Sequence, residues 1–126
     1  DFHREVRRLR EKAAAGADYI TTQPVFDPEA LFRFLDAVDD LGLPVIAGIW
    51  PLASLRNALF MKNEVPGVVV PDHVIARMSR SEASDEQLAT GIAIAREAIA
   101  AVRGRVHGVQ VSAPFGKVEI ALAALE

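Results

Sequence analysis

The polar residues best placed for chemistry stand where apolar stretches end: Thr21-Thr22-Gln23-Pro24, Gly48-Ile49-Trp50-Pro51, Val70-Pro71-Asp72 and Gln110-Val111-Ser112-Ala113. A polar side chain leaving a buried strand at its tip can reach a ligand, and in parallel α/β architectures ligands bind at those ends. Gln23 is the strongest of them, because an amide both donates and accepts hydrogen bonds. A turn amide satisfying nearby backbone is its plainer reading. A second candidate set lies near the start, where Arg4, Arg7, Arg8, Arg10 and Lys12 make a basic stretch. Arg8 and Lys12, spaced i and i+4, share one helix face and could meet a phosphorylated cofactor. Solvated helix charge is their plainer reading.

The familiar signatures of catalysis are missing. There is no G-x-G-x-x-G, no Walker loop and no H-E-x-x-H. Gly116-Lys117 resembles the end of a phosphate loop without its upstream glycine or its following Ser/Thr. His3, His73 and His107 are scattered with no ligand spacing, and Glu82, Asp85 and Glu86 sit at a helix start where they complement the dipole. With no cysteine, thiolate metal sites, disulfides and cysteine nucleophiles are excluded, and no metal is expected.

The elements that must position these residues follow from periodicity. Phe2, Val6, Leu9 and Ala13 recur at helical spacing, so residues 2–15 read as an amphipathic helix ending at Gly16. Residues 17–23 read as a strand, and Asp27-Pro28 opens a helix through about residue 41. Strands are expected at 44–49, 68–70 and 106–112. Helices are expected from Ser54 to Asn63, after Pro71-Asp72, from Ser84 to Arg103 with Ser84 and Gln87 as a capping box, and over 116–125. Four βα units with apolar, non-alternating strands imply a parallel sheet covered on both faces. Both a small open sheet and half of an eight-stranded barrel satisfy this pattern. In either, 17–23 and 106–112 are the expected edge strands.

The chain has 126 residues, 51% of them hydrophobic and 25% charged, with net charge −3. That suits one globular domain, with no general attraction to nucleic acid or anionic membrane. No apolar run approaches a membrane span, and the first residues lack a signal peptide's apolar core, so a cytoplasmic protein is expected. The chain opens on Asp1 rather than methionine, already in a helix pattern, which points to a longer parent.

Three segments carry a family resemblance. Lys12-Ala-Ala-Ala-Gly-Ala-Asp-Tyr-Ile-Thr-Thr-Gln-Pro-Val-Phe-Asp27 resembles the K-x-x-x-G-A-x-x-x-x-T-Q segment of methylenetetrahydrofolate reductases. Pro44-Val-Ile-Ala-Gly-Ile-Trp-Pro51 is similar to their P-I-x-x-G-I-x-P strand. His107-Gly-Val-Gln-Val-Ser-Ala-Pro-Phe-Gly-Lys117 resembles the last strand of a branch fused to a homocysteine S-methyltransferase domain. The resemblance implies that residues 1–126 are the C-terminal half, strands five to eight, of a (β/α)8 TIM barrel holding FAD. It implies an oxidoreductase of one-carbon and methionine metabolism, in which NAD(P)H reduces 5,10-methylenetetrahydrofolate to 5-methyltetrahydrofolate through the flavin. Gln23 then contacts the pterin or nicotinamide, Asn57 and Met61 the folate, and Lys117 stands where many members carry a folate-binding arginine. Lys12 falls near the FAD phosphates, and Glu5 and Arg8 fall at FAD-contacting positions with altered identities. The general-acid glutamate belongs to the first four strands, so no catalytic residue is expected here and the isolated chain should be inactive. The partners implied are the folate substrate and the N-terminal half of the barrel, with self-association when that half is missing. A non-catalytic ligand-binding or interaction module, or half of an unrelated barrel enzyme, are the alternatives.

Overall fold

A computed structural model describes all 126 residues. The chain runs α1 (Phe2–Ala14), β1 (Ile20–Pro24), α2 (Pro28–Val38), β2 (Val45–Ile49), α3 (Leu55–Glu64), α4 (Asp72–Met78), α5 (Ser84–Val102), β3 (Gly108–Val111) and α6 (Val118–Leu125). Short 3-10 turns follow α2 (Asp39–Leu41) and β3 (Pro114–Gly116). Local chemistry sets several of these bounds. Asp1 caps α1 through its carboxylate and the His3 amide at 3.0 Å, and Asp27 caps α2 ahead of Pro28. The Ser54 hydroxyl accepts from the Asn57 amide at 3.0 Å to open α3.

The sheet has three parallel strands in the order β1-β2-β3, as expected of successive βα units, with β1 and β3 at the edges. The expected fourth strand, 68–70, does not form. Pro66 and Pro71 bracket it, and neither has an N–H to give a ladder. Val68 and Val70 are buried among Leu52, Met61, Val74 and Met78, while Val69 stays exposed. These valines anchor a loop beneath α3, α4 and α5, and their β-prone composition serves packing rather than pairing. The capping box is also corrected. Ala83 is the residue before α5, Ser84 is inside it, and Gln87 is engaged elsewhere: its Oε1 accepts from the Leu55 amide at 3.0 Å and its Nε2 donates to the Ser81 carbonyl at 2.9 Å. Gln87 thereby ties two loops together instead of turning back on its own helix.

The strands are not covered on both faces. Val45 and Ala47 pack with Leu31, Leu35 and Val102, and Ile49 packs with Ala95, Ala98, Ile99 and Ala124. So α2, α5 and α6 cover one face, with α1 beside α2. On the other face the register brings Thr21, Ile46 and Gly108 side by side, followed by Gly48 and Gln110, and both Thr21 and Gln110 are exposed. A third cluster, built on Phe26, Leu52, Met61 and Met78, closes the end where the strands finish. No helix is long and apolar enough to cross a membrane.

One crossing in that third cluster leaves no room for adjustment. A methyl group at Gly91, in the middle of α5, would overlap the Leu52 carbonyl oxygen outright. Gly91→Ala is therefore expected to cost about 3 kcal/mol, since the clash is with backbone and cannot be relieved by a rotamer change. Urea denaturation measures it, and a loss below about 0.5 kcal/mol, the scatter of an ordinary surface substitution, would show that α5 does not cross the loop this closely.

Candidate functional site

The geometry around Gln23 starts from a close approach of two backbones. β1 and β2 are in register at Ile20–Val45 and Thr21–Ile46, and the register then shifts before Pro24 meets Gly48. Within the shift, the Thr22 hydroxyl accepts from the Gly48 amide at 3.0 Å and donates to the Gln23 carbonyl at 2.8 Å. A Cβ at position 48 would stand 2.7 Å from the Thr22 carbonyl oxygen, so only glycine fits. The bulge leaves Gln23 exposed at the strand's end, beside Gly67 of the loop after α3. Its amide makes no hydrogen bond within the chain, so both its donor and acceptor functions are free. The turn-amide reading therefore does not hold.

An open cavity of about 880 Å³ lies between α1, β1, the start of α2 and the 66–69 loop. Glu5, Arg8 and Lys12 line one wall and Thr21 and Gln23 the other. The helical spacing of the three α1 residues puts them on a single face, as expected for Arg8 and Lys12. Arg8 and Glu5 form a loose, exposed pair at 3.7 Å, and Lys12 has no carboxylate partner. An unpaired ammonium at the rim of a groove is free to meet an anion, and two cations and an uncommitted amide lining one cavity suit a ligand that carries both phosphates and a polar ring.

α1 buries no side chain fully, its apolar stripe Val6, Leu9 and Ala13 is only half-buried, and polar contacts add to its hold on α2. Arg10 makes a two-pronged contact with Asp40, both prongs at 2.8 Å, and also donates to the Ala37 carbonyl at 2.8 Å. The hydrogen bond from Arg10 holds the Asp40 carboxylate below the usual carboxylate range. This fork ties the first helix, which lines the groove, to the turn after the second.

The remaining candidates lie elsewhere. Asn57 occupies the third position of α3, where its Oδ1 accepts from Trp50 Nε1 at 2.9 Å and from the Ala53 amide at 3.1 Å. Met61 is 4% exposed and closed into the core beside Leu52 and Met78. Lys117 is exposed beyond β3, at the far edge of the sheet from β1. The structure thus gathers Gln23, Glu5, Arg8 and Lys12 and leaves Asn57, Met61 and Lys117 outside the groove. The bracing role of Thr22, the contact with Gly67 and the Trp50–Asn57 bond go beyond the sequence reading. The one available signal was a hydroxyl directly before Gln23, which can brace a bulge.

The sequence pattern of methylenetetrahydrofolate reductase matches residues 1–111, which takes in all three strands and both walls of the groove. The chain belongs to the methylenetetrahydrofolate reductase family. Methylenetetrahydrofolate reductase 2 of Schizosaccharomyces pombe is 30% identical over 116 residues, covering 83% of this chain and 18% of that protein. Methylenetetrahydrofolate reductase (NADH) 1 of Arabidopsis thaliana is 31% identical over 71 residues, covering 52% of this chain and 12% of that protein. The chain therefore spans less than a fifth of these reductases' length. Membership closes the alternative of a half-barrel from an unrelated enzyme. The family match stops short of Lys117 and α6, so it does not reach the end of the His107–Lys117 segment that resembled the fused branch.

The Arg10–Asp40 fork gives a pH dependence with a definite sign. Because the folded carboxylate titrates below its unfolded value, the tether is in place above the ordinary carboxylate range and is lost as pH falls through the lowered value. Asp40→Asn is expected to speed amide exchange throughout α1 at neutral pH, with the difference from the native chain disappearing in acid. Hydrogen exchange resolved by residue checks this, and equal α1 protection in both chains at neutral pH would show that the fork does not hold the helix.

Proposed function

We propose that this chain forms the C-terminal part of the (β/α)8 barrel of a flavin-dependent reductase that converts 5,10-methylenetetrahydrofolate to 5-methyltetrahydrofolate with NAD(P)H. The observation that carries the reading is the groove in which a family-matched segment puts the free Gln23 amide opposite Lys12 and Arg8. The donor set fits FAD: the unpaired Lys12 ammonium and the loosely paired Arg8 on α1 suit phosphates, and the amide suits the edge of a planar ring. Bound FAD would supply the hydride relay between the nicotinamide and the folate.

The chain's own residues bind and orient. Lys12, assisted by Arg8, neutralises phosphate charge on the α1 side of the groove, where Glu5 offers Arg8 only a loose contact at 3.7 Å. Gln23 orients the substrate or nicotinamide ring. Thr22 and Gly48 hold Gln23 at the height the bulge dictates.

Two features support a larger barrel. α1 continues the helical layer past β1, where no strand lies beneath it, and the sheet's second face carries Thr21 and Gln110 uncovered. The rest of the barrel is the proposed cover for both edges and that face. The chain alone is expected to lack reductase turnover and to self-associate, because free edges and exposed Val118, Leu122 and Leu125 favour strand addition and apolar contact. Sedimentation over a concentration range tests this, and a strictly monomeric chain would mean that the sheet needs no completion.

In the complete enzyme, Gln23→Ala is expected to keep FAD bound and to slow the folate or nicotinamide half-reaction. Losing one hydrogen bond to a bound ring costs about 0.5–1.5 kcal/mol, or roughly twofold to somewhat above tenfold in rate. Stopped-flow traces of both half-reactions provide the measurement. If neither changes, Gln23 is not a ligand contact.

A further inference from the structure

The loop that leaves the central strand is held more firmly than packing alone requires. It runs from Trp50 to Leu55, and its Pro51 and Leu52 are fully buried. Gly91 of α5 presses on the Leu52 backbone from one side, and the Leu55 amide is fixed by Gln87. The third restraint is Asn57. Its amide oxygen accepts from the Trp50 indole N–H at 2.9 Å and from the Ala53 backbone at 3.1 Å, which uses both lone pairs. No acceptor capacity remains for a ligand. What this arrangement specifies is the indole, which packs in part against the Phe26–Leu52–Met78 cluster, stays half-buried outside the lining of the α1–β1 groove, stands immediately beyond the C-terminal end of β2, and is the only large flat ring in the loop. That end of the sheet is where parallel α/β folds receive ligands.

We propose that Trp50 is a wall of the site that receives the planar ring of the folate substrate, and that Asn57 is a positioning residue holding the indole for it. This rests on the reductase reading above. Offset stacking needs a ring fixed in plane and tilt, and the hydrogen bond from Nε1 to Asn57 removes the indole's freedom to swing about its side-chain torsions. The inference differs from a direct Asn57–folate contact in one chemical respect. A direct contact has only the Nδ2 donors to offer, whereas the positioning role needs only the oxygen.

The two substitutions Asn57→Ala and Asn57→Asp separate these roles. Aspartate keeps an acceptor for both internal bonds, has no donor, and suits the first turn of α3, where a negative charge complements the helix dipole. In the complete FAD-loaded enzyme, N57A is expected to raise KM for methylenetetrahydrofolate about tenfold with kcat changed less than about twofold, the pattern of lost binding rather than lost chemistry. N57D is expected to match the native enzyme. Trp50 is the sole tryptophan of this chain, so in a complete enzyme whose tryptophans outside these 126 residues are replaced by phenylalanine its fluorescence reports on the pin directly. N57A should shift its emission to the red and lower its anisotropy, N57D should do neither, and added 5-methyltetrahydrofolate should quench it. N57D as impaired as N57A would overturn the proposal in favour of a donor contact to folate. Native KM in N57A despite a mobile indole would overturn it by removing Trp50 from the site. If N57A does not fold, N57D alone decides, by the same native-or-impaired criterion. A native enzyme without turnover would count against the reaction and not against the pin, which the fluorescence still tests through the presence or absence of folate quenching.

Discussion

The backbones of β1 and β2 come together at Gly48 more closely than any side chain would allow. The Thr22 carbonyl sits where a Cβ would project, and the Thr22 hydroxyl takes the Gly48 N–H that a regular ladder would have given to a carbonyl. One missing methyl group thus permits the bulge, and the bulge decides which way Gln23 emerges. The neighbouring Ile49 is at the same time almost fully buried under α5 and α6. Side-chain bulk on one face of β2 and its absence on the other are both needed. The apolar face holds the helices, and the glycine face lets the edge strand in close enough to brace its polar tip.

A second constraint of the same kind operates at Gly91, where α5 crosses the loop leaving β2. The two glycines lie on opposite sides of the Trp50–Leu55 segment in the order of contacts, one shaping how β1 meets β2 and the other how the loop is pressed flat. Most of the polar bonding around the site serves these two junctions. Thr22, Asn57 and Gln87 each satisfy backbone groups that close packing has removed from water, which is the ordinary requirement on buried amides.

Much of this architecture was legible in the sequence. Helical spacing of Phe2, Val6, Leu9 and Ala13, the Asp27-Pro28 start of α2, and the apolar run Val45–Ile49 all led to elements where they were expected. Val68–Val70 misled because β-branched composition reports a preference for half-buried extended backbone, and a buried loop offers the same environment without a partner strand. Ser84 and Gln87 had capping-box spacing, but a longer-range demand from the Leu55 amide outcompeted it. Of the candidate groove, Gln23, Arg8 and Lys12 could be singled out from type and position. The roles of Asn57 and Met61 could not be, because whether a side chain faces a ligand or the core depends on contacts with distant segments. Met61 meets residues from α4 and the 68–70 loop, and nothing local to α3 announces that.

The order of the strands has a consequence for how the chain folds. Val45 finds Ile20 across a single intervening helix, whereas Gly108 must find Ile46 across three. Closing the longer loop carries the larger entropic cost, and no β3 contact repays it until α5 is already in place. The β1–α2–β2 unit can therefore assemble first, with the bulge and Gln23 set early, while β3 and α6 join late. During synthesis the groove wall would be complete before the last strand leaves the ribosome. The far edge of the sheet would be the part left waiting, and its capture by a neighbouring chain is the misfolding route that this topology leaves open.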